Sequence, residues 1–384
     1  MDAKEAARTT VETERDRLVA LSHRIHEHPE LKFEEARSSA WTAGALSDSG
    51  LPVDAGICEL PTAFSCVVGN GPLHLAICAE YDALPGIGHA CGHNVIAASA
   101  VGAGLALAPL VDDLGITLHV IGTPAEEGGG GKVYLLQRGA FDGVHAAMMV
   151  HPTPVEDLYV RVSAVAHMHV HYTGRDAHAA FAPERGINAG DAMTVAQVAI
   201  GLLRQHLRAT DQIHGVVTNA GSAANIIPAR AEGLWMARAR TLDELAELRP
   251  RVVHCFEAGA LATGATLAIE NVSPDYAQME HDHEIAELFR ANARALGRPE
   301  SHDAAGTFST DMGNVSLAMP SIHPCLGIET GGAVNHQPEF AAAAVNASAD
   351  RAVVEGALGM AWTAIDVATG AMRDRLLARG GYTR

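Results

Sequence analysis

The chain has 384 residues, of which 48% are hydrophobic and 19% charged, enough to bury a large core and to divide into two domains. Its formal net charge of -18, with lysines only at 4, 32 and 132, excludes a nucleic-acid backbone as the expected partner, because phosphates are met by clustered Lys and Arg. No run approaches the roughly eighteen consecutive apolar residues of a membrane span, and the first thirty residues, with Glu5, Glu12, Glu14, Asp16 and Glu27, lack an export signal, so no membrane partner and a cytoplasmic location are expected. Cys58, Cys66, Cys78, Cys91, Cys255 and Cys325 are scattered, which predicts reduced thiols, all but Cys91 serving as small core residues.

Residues 10–28 show helical periodicity with charges on one face. Phe64 to Val68 and Leu73 to Cys78 are short apolar runs separated by Gly-Asn-Gly-Pro, which predicts two strands joined by a tight turn. Asn94 to Leu110 is Ala-rich and apolar all round, as suits a buried helix, and strand character returns at Ile116 to Ile121 and Val144 to Val150. This alternation is that of an α/β sheet domain, in which ligands sit at the carboxyl ends of strands. Polar clusters fall at three such ends: Asp82 after the strand at 73–79, Glu126 and Glu127 after that at 116–121, His151 after that at 144–150.

Two motifs supply the rest of that rim. His89-Ala-Cys91-Gly-His93-Asn94 offers a thiol and an imidazole, and Thr123-Pro-Ala-Glu126-Glu127 followed by four glycines offers adjacent carboxylates. A thiolate, imidazoles and two carboxylates form the ligand set plus general base of a hydrolytic transition-metal site. Adjacent carboxylates on an extended loop point in different directions, so one can bind metal while its neighbour faces a water. The Glu-Glu-Gly run alone would suit an exposed loop, and Cys91 alone a packed thiol or a nucleophile; their convergence on one rim favours metal ligation.

From residue 158 the style changes. Residues 158–172 alternate as a half-exposed antiparallel strand, followed by a helix near 187–207, strands near 213–219 and 230–238, a helix opened by Thr241, and an apolar run closing at Glu270. The order βαββαβ predicts a split-βαβ, ferredoxin-like α+β domain at 164–272, inserted into a mixed-sheet α/β domain of residues 1–163 and 273–384. A helix at 282–296 and a last helix from about 343 to 377 complete the chain. His167, His169 and His171 project from one strand face; with no carboxylate or Cys interleaved, they read as the polar face of an edge strand rather than a metal site.

Glu80 to Pro85, His89 to Asn94, Thr123 to Gly131, Ala223 to Arg230 and Ser309 to Ser316 together resemble the motifs of the co-catalytic zinc metallopeptidase family of aminoacylases, carboxypeptidases and amidohydrolases, and most resemble its p-aminobenzoyl-glutamate hydrolase and dipeptidase branch. The resemblance runs nearly the whole chain in the family's order. It implies that Cys91, His93, Glu127, His151 and His336 hold two divalent metals, zinc first and manganese or cobalt as alternatives, with Glu126 as general base. Asp82 then accepts a hydrogen bond from a ligating imidazole. From the inserted domain, acting as lid and dimerisation domain, the resemblance implies that His178 stabilises the oxyanion, from its own or a partner subunit, and that Asn225 and Arg238 bind the substrate carboxylate. Asn94 stands where many relatives have Asp and points weakly away from simple N-acetyl substrates.

The implied activity is metal-dependent hydrolysis of the amide bond of a small N-acyl amino acid, aminobenzoyl-glutamate-like compound or dipeptide, in a homodimer. A catalytically silent metal-binding homologue and a thiol-based hydrolase using Cys91 are the alternatives. Loops near 183–188, 220–227 and 303–310 are expected to line the substrate pocket, with Phe181, Phe308 and Met312 available for an apolar acyl group or for packing.

Overall fold

The computed structural model describes residues 2–299 and 307–384, so positions 303–306 of the expected pocket loop lie outside the described residues. The chain forms two compact units, one of Met1–Arg161 with Met279–Arg384 and one of Val162–Gln278.

In the first unit a six-stranded mixed sheet has the order Val53–Ala55, Phe64–Val68, Ile116–Gly122, Leu73–Ala79, Ala146–Met148, Ser321–Ile322. Leu73–Ala79 runs parallel to both Ile116–Gly122 and Ala146–Met148, so these three strands share a carboxyl rim. Ile116–Gly122 is buried at every position, as a central parallel strand must be. It also corrects the expected hairpin: it lies between Phe64–Val68 and Leu73–Ala79, antiparallel to the first and parallel to the second. The Gly-Asn-Gly-Pro turn makes room for it. A Cβ on Gly71 would stand 2.0 Å from the carbonyl carbon of Gly115, so only glycine lets the incoming strand start there.

Every residue of the helix His93–Leu107 is buried, packed against Ala3–His26 and Ala347–Thr369. Small residues permit this: a Cβ on Gly102 would meet that of Ala357 at 2.7 Å. The stretch His93–Leu114 has the length and hydropathy of a membrane span, contrary to the expectation of no such run, but 83% of its most apolar window is buried inside the protein. The final helix is two, Ala347–Thr369 and Ala371–Arg379, interrupted at Gly370. Asn346 caps the first by accepting from the Ser348 and Ala349 N–H groups. Cys66, Cys78, Cys255 and Cys325 are buried, whereas Cys58, expected in the core, is only half-buried.

The second unit is an antiparallel sheet ordered Thr266–Asn271, Ala164–Thr173, Arg230–Ala239, Gln212–Asn219. The helices Ala189–Leu203 and Leu242–Thr263 cover one face and share a core with Ala166, Met168, Val170 and Tyr172. Asn188 and Thr241 cap these helices by accepting backbone N–H groups. Ala164–Thr173 is an interior strand, not the expected edge, because Thr266–Asn271 returns to its far side.

Glycines on these helices offer a stability test. A Cβ on Gly259 would meet the Ala192 carbonyl oxygen at 2.2 Å, whereas one on Gly201 would meet nothing within 4 Å. Gly259→Ala is expected to destabilise by about 1–3 kcal/mol through overpacking, and Gly201→Ala to stabilise by about 0.5–1 kcal/mol through helix propensity. Opposite shifts in thermal midpoint check both.

Candidate metal centre

The loops that leave the carboxyl rim bring the expected ligands together. Gly92, at φ 75°, turns the chain between Cys91 and His93, and His93 then opens the buried helix. A Cβ on Gly92 would stand 2.4 Å from Pro152 Cγ, so the tight approach of the two loops needs glycine. Cys91 Sγ lies 3.5 Å from His151 Nε2 and 3.6 Å from His336 Nε2. His336 reaches this point through a left-handed backbone, φ 69°, fixed by its N–H donating to the Ala90 carbonyl at 2.8 Å. Its Nε2 is 3.4 Å from Glu127 Oε1. Such a conformation in a non-glycine residue is unfavourable and persists where surrounding structure imposes it.

Hydrogen bonds set the tautomers. His93 Nδ1 donates to Asp82 Oδ1 at 3.0 Å and His151 Nδ1 donates to the Pro152 carbonyl at 2.9 Å, so that in the neutral ring each Nε2 presents its lone pair for a ligand role. The other Asp82 oxygen accepts the Glu127 N–H at 2.8 Å, so one carboxylate orients two candidate ligands. His93 Nε2 and Glu127 Oε1 are buried with no hydrogen-bond partner among the described residues, and a bound cation would satisfy both. Ligand atoms of Cys91, His93 and His151 lie within 4.8 Å of one another, as do those of Cys91, Glu127 and His336. Two triads that share one thiol fit a pair of divalent cations of the borderline-soft class.

Glu126 lies beside this set. Its Oε2 is 3.8 Å from His93 Nε2, and burial, then the Glu80 and Glu127 carboxylates, hold its carboxyl well above the usual range. The preceding Ala125 has φ 59°, and its N–H donates to Glu35 Oε1 at 2.8 Å, which pins the loop.

Sequence reasoning gave no role to Glu35, Glu80, Lys132 or Asp311. Lys132 is fully buried and paired with Glu80 and with Asp311 Oδ1 at 2.7 Å, while its backbone N–H donates to Asp311 Oδ2 at 2.8 Å. The signal was there: a lysine inside an apolar helix, and acids within two of the quoted motifs. Asn94 is buried and turned to the fold, donating to Ser22 Oγ and to the Ala344 carbonyl, both at 2.8 Å. An ionised Asp has no donor for that carbonyl. Met312 is fully buried, and the Phe308 ring lies 6.2 Å from that of His151.

His178, Asn225 and Arg238 belong to the second unit. The Asn225 carbonyl accepts the Ala179 N–H at 2.9 Å, so the first two share one loop pairing. His178 Nδ1 accepts the Ala180 and Phe181 N–H groups at 3.2 and 3.1 Å, which places the proton of the neutral ring on Nε2. Arg238 lies in the strand Arg230–Ala239, its Nε donating to His214 Nε2 at 3.0 Å. Phe181 is exposed.

Glu35 makes a pH prediction. Burial, then the Asp82 charge, raise its carboxyl from 4.5 to about 7. The folded state therefore holds a proton that the unfolded state releases, so this group lowers stability as pH rises through that window. Glu35→Gln keeps an oxygen for the Ala125 N–H and is expected to flatten this part of the stability–pH curve, measured by denaturant unfolding at intervals from pH 4.5 to 7.

Comparison with known proteins places this geometry. The chain is 36% identical to the mouse (Mus musculus) Xaa-Arg dipeptidase across 95% of its own length and 88% of that protein. It is 32% identical to one of the subunits of the p-aminobenzoyl-glutamate hydrolase of Escherichia coli, across 67% of this chain and 58% of that one. Among solved structures, a dinuclear metal binding peptidase of Bacillus subtilis shares the fold at a TM-score of 0.70 and 21% identity, covering 93% of this chain and 99% of that one. Residues 76–353 match the family described as Peptidase family M20/M25/M40, and the chain belongs to that family.

Proposed function

We propose that this chain is a metal-dependent hydrolase of the amide bond in a small dipeptide, N-acyl amino acid or aminobenzoyl-glutamate-like compound. The observation that carries the reading is the pair of ligand triads sharing Cys91, with Glu126 outside both and grouped instead with His93 and Glu80. The names of the dipeptidase and aminobenzoyl-glutamate relatives support the substrate class.

In this reading Cys91, His93, Glu127, His151 and His336 hold two divalent ions, zinc first and manganese or cobalt as alternatives. The chemistry supplied there is polarisation of the scissile carbonyl and acidification of a water. Glu126 removes the proton of the attacking water and returns it to the leaving amine. Asp82 holds the His93 ring and the Glu127 backbone in place through its two oxygens. His178, with its proton on Nε2, is the oxyanion donor, and Asn225 and Arg238 recognise the substrate carboxylate, roles that rest on the resemblance in motif. A cytoplasmic homodimer formed through the unit Val162–Gln278 completes the proposal.

A thiol mechanism fits less well. Burial, then Glu127, push the Cys91 thiol well above its ordinary value, the opposite of an activated nucleophile.

Glu126→Ala is expected to keep the metal content of the wild type while lowering kcat by roughly a hundred- to ten-thousand-fold, the ordinary contribution of a general base. Metal analysis together with turnover on dipeptides, N-acyl amino acids and p-aminobenzoyl-glutamate measures both. Full activity in that variant would overturn the assignment. Removal of metal by a chelator is expected to abolish hydrolysis reversibly, whereas activity that survives chelation and fails on thiol alkylation would establish the Cys91 alternative.

A further inference from the structure

The open face of the sheet in the second unit carries a cluster that the proposed reaction does not use. His169 and His171 alternate on Ala164–Thr173 and project from the face opposite the helix-covered core, where Met168, Val170 and Tyr172 point. Their rings converge to 3.8 Å between centroids. The register of the neighbouring strands sets acids beside them: Glu232 pairs with His171 on one side, and Glu270 with His169 on the other. His171 Nδ1 is 3.8 Å from Glu232 Oε1, and its Nε2 is 3.9 Å from Glu270 Oε2. Neither gap is a hydrogen bond, and His171 Nε2 is buried without a hydrogen-bond partner among the described residues. Ligand atoms of His169, His171 and Glu232 all lie within 4.8 Å of one another.

We propose that His169, His171 and Glu232, with Glu270 as a fourth ligand, form a binding site for a transition-metal dication of the zinc or copper class, separate from the centre at Cys91. Two imidazoles select that class over magnesium and calcium, which prefer all-oxygen sites. Imidazole and carboxylate ligands bind zinc at about 2.0–2.2 Å, so closing the cluster on an ion needs side-chain movements of roughly 1 Å. Half-exposed side chains on a rigid ladder permit that. His167, the third histidine of the run, stays outside the site: its Nδ1 is held by Ser273 Oγ at 3.0 Å. A bound ion would tie together three adjacent strands, Thr266–Asn271, Ala164–Thr173 and Arg230–Ala239, and so couple the stability of this unit to metal supply.

The test uses the untagged full chain, stripped with chelator, equilibrated with zinc and desalted before metal analysis. The wild type is expected to retain one zinc per chain more than His169→Asn/His171→Asn. In a Cys91→Ala/His93→Ala/His336→Ala background, which takes ligands from both triads of the first centre, added zinc is expected to raise the thermal midpoint only while His169 and His171 are intact. Copper in that same background is expected to show an electron paramagnetic resonance spectrum with nitrogen couplings from two imidazoles. Glu232→Gln is expected to weaken zinc binding at this site by roughly tenfold or more. Equal zinc content in wild type and a His169→Asn/His171→Asn variant with native circular dichroism would overturn the proposal. If that double variant does not fold, undiminished zinc affinity in both Glu232→Gln and Glu270→Gln would overturn it instead.

Discussion

The carboxyl rim of the first unit buries an excess of negative charge, and the rest of the site follows from how that charge is balanced. Glu80, Asp82, Glu126 and Asp311 are buried and Glu127 nearly so, with Lys132 the buried ammonium among them. An unpaired buried carboxylate is expensive, so each needs a partner or a proton. Lys132 answers Glu80 and Asp311, and the His93 Nδ1–H answers Asp82. Glu127 and the Cys91 thiol lie beside the imidazoles of His93, His151 and His336, with Glu126 3.8 Å from His93 Nε2, so possible donors to a cation crowd one small surface. The family's metal chemistry and the electrostatics of this rim therefore describe the same requirement.

Geometry is bought with local backbone strain held by a rigid support. Ala125 at φ 59° and His336 at φ 69° flank the centre, and each is anchored by a hydrogen bond from its own N–H, to Glu35 and to the Ala90 carbonyl. Glu35 also accepts the N–H of Phe33, itself at φ 62°, so one buried carboxyl fixes two unusual turns. Beneath them lies a helix whose residues are small enough to be enclosed on all sides, which places His93 on a floor that cannot shift without repacking the core.

How much of this could be read from the residues depended on whether the signal was local. Cys91, His93, Glu126, Glu127 and His151 announce themselves because each lies in or beside a short motif at a strand end. His336 has no local signal and came through the resemblance alone. Glu80, Lys132 and Asp311 were visible but not interpretable, since a buried ion cluster exists only once three distant segments meet. The hairpin expected at 64–78 failed for the same reason: periodicity identifies a strand, not its neighbour, and the intervening strand comes from residues 116–122. The carboxylates beside His169 and His171 are likewise supplied across the ladder, from Glu232 and Glu270, rather than along the strand.

Histidine tautomers are set in opposite senses in the two units, by acceptors at Nδ1 in the first and by backbone donors at Nδ1 in the second. In the first unit His93 and His151 each donate from Nδ1, to a carboxylate and to a carbonyl, so that Nε2 is a lone pair and the ring can be a ligand. In the second, His178 accepts two backbone N–H groups at Nδ1, so that Nε2 carries the proton and the neutral ring can only donate from it. A donor is what a developing oxyanion needs, and a lone pair is what a metal needs. Neither state depends on burial or on a neighbouring charge alone. Each is set by the hydrogen bond at Nδ1: to the Asp82 carboxylate for His93, to the Pro152 carbonyl for His151, and from two backbone N–H groups for His178.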